Sequence, residues 1–283
     1  MNKKFRISLI LSLALASLPA CGAWTDGQAT VDRDDAYIAE VTDADQVRYV
    51  GGQPIGLYAS EQINYVSKVI VEDIYTDGDA PEYYDNSADM TNSCGAVSGS
   101  IAVGFYDKYY SNMIPDWDSY YPSGIYRKQD AEHVGALKRD LYARMQTNIY
   151  GDGVSEDDFK SGLSSYINER GYNVSYSSIG SKGSFNYNMF KEAIRNNQVT
   201  VLFTQPSNVY RIGFSSNMDN IVSTFINGNH IMVAFGYLEV KYIMNGGTRH
   251  EIYLRISTAL PEPTMAFYKV GSYLVDAVTV KIN

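Results

Sequence analysis

Cysteine is close to absent from this sequence: 283 residues contain only Cys21 and Cys94. No disulfide framework can staple such a chain, so its stability has to come from apolar burial, for which its length is ample. Histidine is almost as scarce, with His133, His230 and His250 alone. There is no HExxH, no CxxC and no close pair of histidines, so a zinc ligand set is missing and no cofactor is expected. Positive charge is in deficit as well, with 23 Lys and Arg against 32 Asp and Glu and a net charge of −9. Phosphate recognition needs clustered cations, which rules against a nucleic-acid partner. The glycines at 151–153 and 246–247 lack the lysine of a phosphate loop, and both clusters read as turns. Beyond residue 18 no apolar run approaches the roughly 20 residues of a membrane helix.

The first residues supply what the rest lacks. Basic Lys3, Lys4 and Arg6 precede an apolar run from Ile7 to Leu18 and then small residues, the pattern of a secretory signal over residues 1–20. Leu18-Pro19-Ala20-Cys21 resembles a bacterial lipobox, which would make Cys21 a lipidation site and the lipid the only membrane contact, although Pro19 stands where small residues are usual. The alternative is ordinary cleavage around Ala20 or Ala23 and release. Either way the protein is exported, as a membrane lipoprotein or an extracellular protein. Residues 21–52 are acidic and weakly patterned, a spacer or a pro-segment. Residues 53–283 form the expected domain. With lipid on Cys21, Cys94 has no partner within the chain.

The stretch from Tyr49 to Tyr75 reads as one or two strands. Helical spacing then runs from Gly95 to Tyr110, with Ala96, Val97, Ile101, Phe105 and Tyr109, and from Gln129 to Met145, with Val134, Leu137 and Leu141. A third helix is announced by Ser155 with Asp158 three residues on and stopped by Gly171; its acidic start misses the spacing of a calcium loop. A fourth covers Tyr187 to Asn197, and all that follows reads as strands. Helices followed by strands predict an α+β fold, a helical lobe against a twisted, mostly antiparallel sheet with a cleft between them.

Cys94 opens the first of these helices. A helix N-terminus carries partial positive charge and unpaired N–H groups, which favour a thiolate, and the N–H of Cys94 itself is an oxyanion donor. Gly95 lets backbone come close to a substrate. Such a nucleophile needs a base. His133 lies within a helical pattern and reads as a partly exposed helix residue, and His250 lies in a charged hairpin leg. His230, after Gly228 and Asn229, starts a buried strand, from which its imidazole would project into the cleft.

"NSCGAVSG", "GVSEDDFKSGLSSYINERGYNVSY", "AIRNNQVTVLF" and "GNHIMVAFGY" together resemble the papain-like cysteine peptidases of the bacteriocin-processing, double-glycine type, and more closely their secreted Gram-positive relatives. The 136 residues between Cys94 and His230 fall within the roughly 130 to 150 of papain-type enzymes. The resemblance, over roughly Asp85 to Asn283, implies a two-lobe fold with the cysteine helix packed on the sheet. It also implies Cys94 as nucleophile, His230 as general base and acid, and a peptide or protein substrate. Where such enzymes commonly carry an oxyanion glutamine, six residues before the cysteine, this chain has Ala88. Asn92 can offer its amide instead, with Asp89 a poorer donor. Where they carry Asn or Asp to orient the histidine, it has Ser257 and Thr258; Asn245 and Asp276 are alternatives from elsewhere in the sheet.

Three functions follow from these residues: a Cys-His hydrolase of peptide or isopeptide bonds, a catalytically impaired relative that binds peptide or glycan at the cell envelope, and a cell-wall amide hydrolase. The 25 tyrosines suit a half-buried sheet, while Trp117 and Tyr120 are candidates to line the cleft.

Overall fold

The computed structural model describes residues 48–50, 53–77, 79–86 and 89–283, with side chains described from residue 61 onward. The signal, Cys21, nearly all of the acidic segment, and Ala88 lie outside the described residues.

The fold is α+β. Among the described residues four helices, α1 (Cys94–Asp107), α2 (His133–Arg144), α3 (Glu156–Glu169) and α4 (Tyr187–Arg195), accompany a twelve-stranded sheet in which every pairing is antiparallel. The strands are β1 (Arg48–Val50), β2 (Gln53–Asn64), β3 (Ser67–Tyr75), β4 (Val174–Ser181), β5 (Ser184–Phe185), β6 (Val199–Thr204), β7 (Ser207–Gly213), β8 (Met218–Ile226), β9 (His230–Met244), β10 (Gly247–Ser257), β11 (Met265–Tyr268) and β12 (Leu274–Ile282). They lie in the order β1-β2-β8-β7-β11-β10-β9-β6-β12-β4-β5, with β3 also on β9.

Strand alternation divides the core. Val199, Val201 and Phe203 of β6, with Ile231, Val233 and Phe235 of β9, face the layer of α1, α2 and α3. The intervening Leu202, Met232 and Ala234 face α4 through Phe190 and Ile194. The period-2 register thus buries both faces of the central strands, which explains why β6 and β9 read as continuous apolar runs. A third cluster, including Ile63, Ile221, Val240 and Tyr253, lies further along the sheet. There Tyr65 and Val66 join β2 to β3, yet β2 pairs with β8 and β3 with β9, so the sheet curls back on itself.

Local boundaries differ from the sequence reading for identifiable reasons. The segment expected as one or two strands is three. The second helix starts at His133 rather than Gln129, because Asp130 Oδ1 accepts the N–H groups of His133 and Val134 at 2.7 and 3.0 Å. The first helix ends at Asp107, whose carboxylate accepts from the Ile114 and Ser119 N–H groups and gathers the following loop. β4 was not foreseen: its serines obscure the strand pattern, and only pairing with β12 reveals it. Ser155 caps α3 as expected, accepting from the Asp158 N–H at 3.1 Å.

Candidate active site

α1 is buried along its whole length. It is held on β9 by Ser98, whose hydroxyl donates to the Ile231 carbonyl at 2.8 Å. A Cβ placed on Gly95 would lie 2.3 Å from Val154 Cγ1 and 3.5 Å from Ile231 Cδ1. Gly95 is therefore required by these neighbours in the fold, where the sequence had suggested room for substrate. The same contact puts the first turn of α1 against the first turn of chain after His230, so the cysteine and histidine ends of the two elements share one junction.

The helix mouth favours negative charge. Ser93, the residue before α1, makes no side-chain cap; its hydroxyl donates instead to Asp85. No acidic residue occupies the first turn. The segment leading in is anchored by Lys138 of α2, whose buried ammonium donates to the Tyr84 carbonyl and to Asn86 Oδ1, both at 2.9 Å. Burial holds that lysine's pKa below its ordinary value. Asn92 takes a left-handed backbone, φ 54°, and its amide donates to Asn148 Oδ1 at 2.9 Å. Asn148 also accepts from the Gly153 N–H and donates to the Thr91 carbonyl and the Tyr142 hydroxyl. It thus ties the α2–α3 loop to the residues before Cys94. Sequence reading missed Asn148, whose one signal was an asparagine within a glycine-containing turn.

His230 is 2% exposed, and its Nε2 lies 2.6 Å from the Thr258 carbonyl oxygen. A carbonyl only accepts, so Nε2 carries the hydrogen and Nδ1 is left as the basic nitrogen. Thr258 does orient the imidazole, but through its backbone. Its hydroxyl is engaged with Pro263 and Leu260, and the Ser257 hydroxyl donates to the Pro81 carbonyl. A backbone carbonyl leaves no mark in a sequence. Burial drives the His230 pKa down to about 4, outweighing the opposing contact with Thr258. The ring is enclosed rather than projecting into an open cleft.

Cys94 is 4% exposed, and its sulfur is disulfide-bonded, where a lone thiol was expected. The other sequence candidates lie elsewhere. Asn245 is in the turn at the far end of β9, and the carboxyl of Asp276 is raised in pKa by burial and by Glu156 beside it. Asp89 is exposed. His133 Nδ1 bonds Asp130 at 2.9 Å and its ring stacks on Trp117, while His250 bonds Glu239 at 2.7 Å. Tyr120 bridges to Tyr126 in the loop after α1.

Compared with family models, with curated proteins and with solved structures, the chain finds no match. Its function has to be argued from the site itself.

Proposed function

We propose that this chain is an exported hydrolase of papain-like type that cleaves peptide or isopeptide bonds, with Cys94, once a thiol reductant has opened its disulfide, as nucleophile and His230 as base. The observation that carries the reading is the Nε2 contact of His230 with the Thr258 carbonyl, which leaves Nδ1 basic on the element against which the Cys94 helix end is packed. The Cys94 thiol would give its proton to Nδ1 as sulfur attacks the carbonyl carbon. The oxyanion would be held by the Cys94 N–H and by Asn92. The imidazolium would then return its proton to the leaving amine, and water would hydrolyse the thioester by the same route in reverse. Because burial disfavours the charged ring, the imidazole rests neutral.

A second reading, an impaired relative that binds peptide or glycan, is favoured by the burial of both side chains and by the oxidised sulfur. Thiol reactivity separates the two. After reduction, an epoxysuccinate inhibitor should label Cys94, located by mass spectrometry. Labelling should be lost in Cys94→Ala and weakened in His230→Gln. A reduced Cys94 that reacts no faster than the thiol of a short peptide would sink the hydrolase reading. For an active protein, peptides tested against peptidoglycan fragments would distinguish peptidase from cell-wall amide hydrolase.

A further inference from the structure

Seven of the fourteen exposed large apolar side chains among the described residues gather in one region. Val66, Val69, Ile70, Val71 and Tyr75, each 44 to 65% exposed, run along β3 and the turn before it. Ile243 and Met244, at the end of β9 beside β3, extend the strip. β3 bonds to β9 along one edge, and no strand among the described residues takes its other edge. Scattered apolar residues on a surface are ordinary, whereas a continuous strip on an open strand edge is a template for another chain.

Edges are usually guarded by charge, and here the charges are spent. Lys68 pairs with Asp219 at 2.7 Å, Glu72 with Lys191 at 2.8 Å and Arg195 at 2.5 Å, and Asp73 with Arg255 at 2.7 Å. Each charged side chain of β3 is therefore neutralised within its own molecule. In a chain of net charge −9, this strip is a place where two copies approach without like charges facing each other. A strongly charged partner would find no counter-charge on it.

We propose that the open edge of β3 is a self-association surface, on which a second copy of this chain docks antiparallel about a two-fold axis. Such pairing is self-complementary: the same short segment faces itself, so Val69 and Ile70 meet apolar counterparts. The bulge between Ile70 and Glu72 interrupts the ladder. The two-fold axis is accordingly placed just before it, between Val69 and Ile70, so that Val69 of one copy faces Ile70 of the other, with Val71, Tyr75 and Ile243 packing at its flank.

Analytical ultracentrifugation of the purified chain over an about hundredfold concentration range tests this. The expected result is a reversible monomer–dimer equilibrium whose dissociation constant rises at least about tenfold in the Val69→Lys, Val71→Lys double variant. Ile125→Lys, exposed elsewhere, should leave it unchanged. A monomer throughout, or a dimer indifferent to the β3 lysines, overturns the proposal. Should the double variant misfold by circular dichroism, amide exchange of the unaltered protein decides: Ser67 to Ile70 should exchange more slowly in concentrated than in dilute solution, and equal rates refute the dimer.

Discussion

A buried imidazole carries its solvation cost into the pH dependence of folding. His230 titrates at about 4 in the folded chain against 6.5 for an ordinary histidine. Between these values the unfolded chain takes up a proton that the folded chain refuses, so stability falls as pH drops from about 6.5 and levels off below about 4. Above that window both states are neutral and the residue contributes nothing. At about 1.4 kcal/mol per pH unit the full loss is worth roughly 3 kcal/mol. Urea unfolding at a series of pH values should show this slope, and His230→Gln should flatten it. An NMR titration placing the His230 pKa near 6.5 would contradict the buried ring.

Helix contacts give a sharper test of packing. A Cβ on Gly162 of α3 would lie 2.7 and 2.8 Å from the backbone N and Cα of Met145, atoms that cannot yield without moving α2. On Gly99 of α1 the tightest contact, 2.7 Å, is with Met145 Cε, the free end of a flexible side chain. Gly162→Ala should therefore cost about 1–3 kcal/mol in spite of alanine's better helix propensity, and Gly99→Ala clearly less. Equal thermal midpoints for the two variants would refute the distinction. Ser155, the apolar spacing of α1 and the β-branched runs of β6 and β9 all announced their elements, because caps and periodicity are local properties. β4 did not announce itself, since its serines acquire a strand's role only beside β12.

The molecule as a whole depends on how the curled sheet is fastened. Fully buried Asp219 of β8 accepts from Lys68 of β3 at 2.7 Å, from Tyr65 at 3.1 Å and from Tyr242 of β9 at 3.0 Å. One carboxylate thus joins three segments that the chain order separates. For Lys68 desolvation lowers the pKa, but the bonds to Asp219 and Tyr65 together outweigh it and raise it. Asp219→Ala would strand the ammonium and the Tyr242 hydroxyl, while Tyr65 keeps the Ser215 carbonyl at 2.6 Å, at a cost of about 3–5 kcal/mol. The double variant Asp219→Leu, Lys68→Met should lose much less, since it removes both charges together. Denaturant midpoints that do not separate these variants would show that the cluster is not the fastening.

The α+β class, the helix that begins at Cys94 and the strand that begins at His230 were decided by local chemistry: period, caps and turns act within a few residues. Tertiary structure alone decided that Thr258 orients His230 through its carbonyl, that Asn148 holds Asn92, that Gly95 makes room for Val154, and that the cysteine sulfur is bonded and enclosed. Those facts belong to pairs of groups far apart in sequence, and a backbone carbonyl, which every residue has, acquires a role only when folding places it.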